Sequence, residues 1–137
     1  MKTVTASLSF DGNCRQAMTF YRECLATELE LNPYHDESGK PSSEPAAKIM
    51  HAQLVRGGAP VLMASDTPQP GSLRPGNSFS IAIDCDSVAE ADRVFGALSR
   101  GGEIRMPLME APWGARFGML TDQFGIQWMI NCFLTPR

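Results

Sequence analysis

The chain begins with a segment in which apolar and polar residues alternate. From Thr3 to Phe10 the apolar side chains fall at every second position, which is the period of a half-buried β-strand. After a short turn, the period changes to that of an amphipathic helix, which begins at Asn13, a suitable N-cap residue, and runs to about Thr27. The pattern therefore predicts a strand followed by a helix.

Three more strands are predicted in the first half of the chain. One lies at about Leu29–Tyr34, and the other two, Lys48–Val55 and Pro60–Ala64, flank the paired glycines Gly57 and Gly58. Paired glycines between two extended segments are typical of a β-hairpin. The first half is therefore predicted to be a βαβββ unit spanning about residues 1–66. The following residues, 67–76, are rich in Pro, Gly and Ser and are predicted to form a linker.

The same order of patterns returns after the linker, in a second unit spanning about residues 77–137. Its predicted elements are a strand, an amphipathic helix with an acidic start, and three further strands. In chain order they are Ser78–Asp84, Ser87–Arg100, Glu103–Met109, Arg116–Thr121 and Ile126–Phe133.

Two internal offsets support a duplication. An offset of 74 residues aligns Tyr21 with Phe95, and an offset of 66 residues aligns Met63 with Met129. Because one βαβββ unit cannot easily bury both faces of its sheet, we expect two copies to pair around a shared cleft. The sequence thus predicts one α+β domain over residues 1–137, with eight strands in curved mixed sheets and two main helices.

Composition excludes several classes of function. The length of 137 residues suits a single domain, and a net charge of −3 with scattered basic residues argues against a nucleic-acid partner. No segment reaches the roughly 20 apolar residues needed to cross a bilayer, so a cytoplasmic protein without a membrane partner is expected. The four cysteines form neither a Cys-x-x-Cys pair nor a zinc-type cluster, and we expect them to pack as small apolar residues.

Short motifs follow one another along nearly the whole chain. They are Asp11-Gly12-Asn13-Cys14, Phe20-Tyr21, Met50-His51-Ala52, Gly57-Gly58, Ser65-Asp66, Trp113-Gly114-Ala115-Arg116-Phe117-Gly118 and Asp122-Gln123-Phe124-Gly125. No single motif is specific, but the ordered set resembles the PhnB-like branch of the vicinal oxygen chelate (glyoxalase/bleomycin-resistance/dioxygenase) superfamily. The resemblance implies the glyoxalase/bleomycin-resistance fold of two tandem βαβββ modules.

The same resemblance implies where a metal would bind. Better understood members of the superfamily use one residue from each of two strands per module to hold a divalent ion. These positions fall on Ala6 and Met63 in the first unit and on Ser80 and Met129 in the second. Such a set suits a divalent ion poorly, since divalent ions prefer imidazole nitrogen or carboxylate oxygen. The usual metal site is therefore predicted to be absent, and no cofactor is expected.

Two further pairs of residues are candidates for ligand chemistry. Alternation places His51 and Gln53 on one face of a strand, where the imidazole is either a general base, a ligand contact or a structural histidine. Trp113 either stacks on a planar ligand or anchors a loop, and Arg116 either pairs with an anionic group or is solvated. The methionines Met63 and Met129 either line an adaptable apolar pocket or fill the core.

Three functions remain open. The first is a metal-independent binding protein for a small molecule, as the bleomycin-resistance proteins are. The second is an enzyme of the lyase, isomerase or dioxygenase type that uses an unconventional metal site or His51 as acid and base. The third is an interaction protein that acts through a dimer surface. We expect a homodimer, because open sheets need protected edges, and we do not expect a methyltransferase, because no glycine-rich strand-to-helix turn is present.

Overall fold

The chain folds into two compact units in a computed structural model that describes residues 1–44 and 47–135. The first unit spans Met1–Arg74, and the second begins at Pro75. The described part contains the predicted eight strands and two helices, and each unit has the predicted βαβββ order. None of its helices is long and apolar enough to cross a membrane.

The first unit builds a four-stranded mixed sheet with one helix. Its sheet order is β1-β4-β3-β2, with β1 parallel to β4 and the other neighbours antiparallel. Gly57 and Gly58 form the predicted hairpin turn, and both have positive φ. The elements are β1 (Ser7–Phe10), α1 (Cys14–Leu25), β2 (Glu28–Pro33), β3 (Ile49–Arg56) and β4 (Ala59–Asp66).

The second unit repeats this topology. Its sheet order is β5-β8-β7-β6, again with the first strand parallel to the last and the remaining pairs antiparallel. The elements are β5 (Ile81–Asp84), α2 (Val88–Leu98), β6 (Glu103–Ala111), β7 (Ala115–Thr121) and β8 (Gln127–Phe133).

Both first strands are shorter than the alternation predicts. The predicted strand from Thr3 begins at Ser7, and the predicted strand from Ser78 begins at Ile81. The physical reason is burial, because the side chain of Val4 is 88% exposed and that of Phe79 is 85% exposed. An apolar side chain that packs against nothing does not hold the backbone in a sheet.

Helix α1 covers one face of the first sheet. Its buried side chains recur at helical spacing and pack on the small and branched apolar residues that point to the same side of β3 and β4. Tyr21 is fully buried there, and Phe95, which the 74-residue offset aligns with it, is likewise buried in the second unit. The buried residues of α1 are Cys14, Ala17, Met18, Tyr21 and Cys24, and those of the sheet include Ala52, Leu54, Leu62 and Ala64.

Asp66, at the end of β4, fastens the start of α1 to the sheet. Its Oδ1 accepts backbone N–H bonds from Gly12 and Cys14, both at 2.9 Å, and its Oδ2 accepts from the N–H of Ile49 at 2.8 Å. The carboxylate is 2% exposed. Asn13 occupies the N-cap position as predicted, but its side chain makes no capping bond, because Asp66 satisfies the neighbouring N–H groups instead.

Helix α2 covers one face of the second sheet by close approach to β7. A Cβ atom on Gly118 would lie 2.7 Å from Cε2 of Phe95 and 3.0 Å from the carbonyl oxygen of Met106. Only glycine leaves room for these contacts. The side of β7 on which this Cβ would project is therefore the side covered by α2.

Candidate functional site

Each sheet has a second face, opposite its own helix, which we call the helix-free face. In the first unit, Ala52 and Leu54 point toward α1, so by alternation His51 and Gln53 lie on the helix-free face. Strand register places Met63 beside Gln53 on the same face. The structure therefore brings three of the predicted site residues to one face of the first unit.

The helix-free face of the first unit is predominantly polar. Gln53 donates from Nε2 to Oε1 of Glu30 at 3.1 Å, and His51 is paired in register with Asn32. Among the described residues, no side chain hydrogen-bonds the imidazole of His51, so none orients it as a general base. The members of this face are Ser7, Ser9, Glu30, Asn32, His51, Gln53, Met63 and Ser65.

The helix-free face of the second unit is mostly apolar. Register places four side chains in one row and four in the next, at positions equivalent to those of the first unit. Where the first unit has Gln53 and His51, the second has Met119 and Phe117, by the same 66-residue offset that aligns the hairpins. The first row is Ala82, Met129, Met119 and Met106, and the second is Asp84, Asn131, Phe117 and Met109.

Trp113 stands at one end of this apolar face. It follows β6 in a turn closed by a bond from the N–H of Gly114 to the carbonyl of Ala111 at 3.1 Å. The indole packs edge-on against Phe117, with ring centroids 5.2 Å apart and an interplanar angle of 72°. Its Nε1 donates to Oδ1 of Asn131 at 3.4 Å. Half of the side chain, 50%, nevertheless remains exposed.

Asn131 continues the chain of polar contacts from Trp113. Its Nδ2 donates to Oδ1 of Asp84 at 3.0 Å. Asn131 is almost fully buried, whereas Asp84 is exposed. Neither residue was identified from the sequence, nor was Phe117 as the partner of Trp113. The signal that finds them is the parallel register of β5 and β8, which sets Asp84 opposite Asn131.

Arg116 does not belong to this face. Its Nε and Nη2 atoms both lie 3.1 Å from Oδ1 of Asp92, a residue of α2. Arg116 is two residues from Gly118 and therefore points to the helix-covered side of β7. The structure thus brings Trp113 and Met129 to one face of the second unit and places Arg116 on the other.

The first-strand positions predicted for metal ligands shift by one or two residues. Met63 lies opposite Ser7 in register, and Met129 lies opposite Ala82, whereas Ala6 and Ser80 precede β1 and β5. The backbone carbonyl of Ala6 accepts the N–H of Met63 at 3.0 Å. The shift has a simple cause, because the connection from first strand to helix is one residue shorter in the second unit, so the helices and the first strands do not share one offset.

The corrected positions do not fit a divalent metal. The first unit offers the hydroxyl of Ser7 and the thioether of Met63, and the second offers the methyl group of Ala82 and the thioether of Met129. Hard and borderline divalent ions prefer carboxylate and imidazole ligands. Over residues 1–44 and 47–135, no group of three or more His, Cys, Asp or Glu side chains is placed to share an ion.

The cysteines offer no reactive thiolate. All four are buried and unpaired with one another by disulfides. Burial is the main cause that raises the pKa of Cys14 to about 12, with the nearby charge of Asp66 adding to it. Burial likewise raises the pKa of Cys85 to about 12. At neutral pH these thiols stay protonated and are poor nucleophiles.

Comparison with known proteins places the chain among relatives along most of its length. Residues 2–131 match the family model described as 3-demethylubiquinone-9 3-methyltransferase. Protein YjdN of Escherichia coli (strain K12) is 32% identical over 135 residues that cover 90% of each chain.

Solved structures show the same similarity. Protein PA1353 from Pseudomonas aeruginosa has a TM-score of 0.79 at 42% identity, covering 97% of this chain and 98% of its own. The PhnB protein from Bacillus cereus has a TM-score of 0.77 at 26% identity, covering 96% and 99%. A glyoxylase/bleomycin resistance protein/dioxygenase domain from Frankia sp. EAN1pec, at 17% identity and a TM-score of 0.66, covers 100% of this chain and 95% of its own and shares the fold.

Proposed function

This chain belongs to the PhnB-like branch of the vicinal oxygen chelate superfamily, and on that premise we propose that it binds a planar small molecule on the helix-free face of its second unit. The observation that carries the proposal is the state of Trp113. The indole is half exposed, yet it is fixed by Phe117 at its ring and by Asn131 at its nitrogen. An aromatic ring held in place before binding loses little conformational entropy when a ligand stacks on it.

The rows of side chains beside Trp113 suit such a ligand. Methionine side chains are flexible and polarisable, so a row of them adapts to the outline of an apolar ring system. Small-molecule sites commonly combine apolar walls with a few placed polar groups. Met129 and Met119 supply the first feature, and Asn131 and Asp84 supply the second.

Binding is proposed in preference to catalysis because the candidate catalytic groups lack partners suited to chemistry. No described side chain orients His51, and the thiols of Cys14 and Cys85 have pKa values raised to about 12. Met63 and Met129 are unsuited to activating a divalent ion. Catalytic bases and nucleophiles normally need an oriented partner or a pKa near the working pH.

Methyl transfer is not part of the proposal, although the matched family model carries that name. The strand-to-helix connections, residues 11–13 and 85–87, contain one glycine between them. Nucleotide-like cofactors are usually held at a glycine-rich turn of this kind in an alternating βαβ fold. The order βαβββ of both units differs from that arrangement.

The test uses acridine, a planar, uncharged and fluorescent probe. Binding is followed by the fluorescence anisotropy of acridine and by calorimetry. We expect Trp113→Ala to weaken binding at least tenfold, since one stacked aromatic contact contributes about 1–3 kcal/mol. Trp113→Phe keeps a stacking ring and should retain most of the affinity.

Phe79→Ala is the matched control, because Phe79 belongs to the second unit and its side chain is 85% exposed. Its affinity for acridine should equal that of the unaltered protein. Failure of acridine to bind, or equal affinity of the Trp113→Ala variant, would refute the proposed function.

A further inference from the structure

We infer that this face selects planar cations and that Asp84 is the residue that neutralises the positive charge of the ligand. The inference deepens the proposed binding function and rests on it. Its structural basis is the continuous chain of hydrogen bonds from the indole of Trp113 through Asn131 to Asp84. An aromatic surface and a carboxylate are thereby held on one face within the reach of a single fused-ring ligand.

Asn131 fixes how the carboxylate is presented. The amide is almost buried, and it accepts from Trp113 on one side and donates to Asp84 on the other, so neither of its ends is free to rotate. Only Oδ1 of Asp84 is used in this way. In the described part of the chain, no contact engages Oδ2, and the side chain is exposed. One carboxylate oxygen therefore remains available for an N–H group of a ligand.

The same chain of bonds favours a cation over the indole ring. Trp is the best aromatic partner for a positive charge placed over its face. The negative charge of Asp84 polarises the amide of Asn131, which in turn strengthens acceptance of the indole N–H. Electron density is thereby pushed toward the ring of Trp113, so both groups attract the same positive charge.

No basic side chain competes for Asp84 from this face. Arg105 lies at the opposite end, where Nη1 donates to Oε1 of Gln127. Gln127 is four residues from Asn131 along β8, which corresponds to about 13 Å. Arg116 is paired with Asp92 on the helix-covered side.

The remaining described arginines of the second unit are also away from Asp84 on the sheet. Arg93 belongs to α2, and Arg100 follows the end of that helix. The carboxylate therefore faces a ligand without a protein cation beside it.

The first unit lacks this device. Strand register places Ser9 opposite Ser65 there, at the positions that Asp84 and Asn131 occupy in the second unit. Neither serine carries a charge, and the position of Phe117 is taken by His51. The preference for cations is thus a property of the second unit alone.

The experiment compares two probes of nearly the same shape. Acridine is neutral at pH 7.5, whereas 9-aminoacridine is cationic, so their affinity ratio isolates the effect of charge. We expect 9-aminoacridine to bind the unaltered protein about tenfold more tightly than acridine, from the combined ion pair and cation–π contact. Raising the salt concentration should weaken 9-aminoacridine and leave acridine unchanged.

Asp84→Asn keeps an acceptor for Asn131 and removes the charge. This variant should bind both probes with the affinity that the unaltered protein has for acridine. Asp86→Asn is the matched control, because Asp86 is an exposed acidic residue beyond the end of β5, and it should keep the tenfold preference.

The outcomes separate the inference from the proposed function. If both probes bind through Trp113 with equal affinity, or if the preference survives in Asp84→Asn, then Asp84 does not select the ligand and the inference fails while the binding function stands. If the Trp113→Ala variant binds both probes normally, or if neither probe binds, the binding function fails and the inference fails with it.

Discussion

Met129 lies directly opposite Ala82 across the parallel strands β8 and β5, on the helix-free face of the second sheet. Side chains at such laterally paired positions are close enough to hold one ion together. In this chain the pair is a thioether and a methyl group, which explains in chemical terms why the divalent site of the superfamily is not expected here.

Introducing ligands at this pair tests the register directly. The double variant Ala82→His with Met129→Glu should bind Co²⁺ or Zn²⁺ with a dissociation constant in the micromolar range. Ser80→His with Met129→Glu should bind at least tenfold more weakly, because Ser80 precedes β5. Equal affinity of the two double variants, measured by calorimetry, would show that the register is wrong.

Asp66 is expected to be a major source of stability in the first unit. Asp66→Asn replaces a carboxylate oxygen by an amide that cannot accept all three backbone N–H groups of Gly12, Cys14 and Ile49. A buried donor left without its partner costs about 1–3 kcal/mol, so the free energy of unfolding in urea should fall by about 2–3 kcal/mol. The exposed control Asp86→Asn should change it little. A loss as small as that of the control would contradict the role of Asp66.

The buried thiol of Cys14 predicts a specific dependence of stability on pH. Burial raises its pKa from 9.0 to about 12 in the folded protein, so the unfolded chain loses this proton first as the pH rises. The contribution is fully present below about pH 9 and is lost progressively up to about pH 12. Cys14→Ala should therefore lose less stability than the unaltered protein between pH 8 and pH 11, by about 2 kcal/mol. Parallel stability curves from urea unfolding would rule this out.

We propose that the chain forms a homodimer. Strand β6 is an edge of the second sheet, and its side chains Ile104, Met106 and Met109 are exposed. Exposed edges with apolar side chains are usually covered by another chain. Light scattering should give a mass near twice 14.9 kDa at micromolar concentration, and Ile104→Glu should shift it toward the single-chain mass. A monomeric unaltered protein would contradict the proposal.

Much of the fold could be predicted because its signals are local. Alternating residues marked β3 and β4, the pair Gly57 and Gly58 marked their turn, and the spacing of apolar residues marked both helices. Val4 and Phe79 misled the alternation because their burial depends on what lies beside them, and both prove to be exposed.

The chemistry of the site was harder to predict because it depends on distant pairings. Trp113 was recognised from its motif, but its partner Asn131 lies 18 residues away, and Asp84 lies another 47 residues from Asn131. Arg116 was placed beside Trp113 because they are close in sequence. Alternation along β7 turns it to the opposite face, where Asp92, 24 residues away, holds it.

The most direct test of the binding face uses the two indole N–H groups of the protein, observed by nitrogen-15 NMR. Trp113 is 50% exposed, whereas Trp128 is 1% exposed and donates its indole N–H to Asp122 at 2.8 Å. Titration with acridine should shift the indole resonance of Trp113 in a saturable way and leave that of Trp128 in place. A saturable titration in which the Trp113 resonance does not move would contradict the central claim that ligands stack at this face.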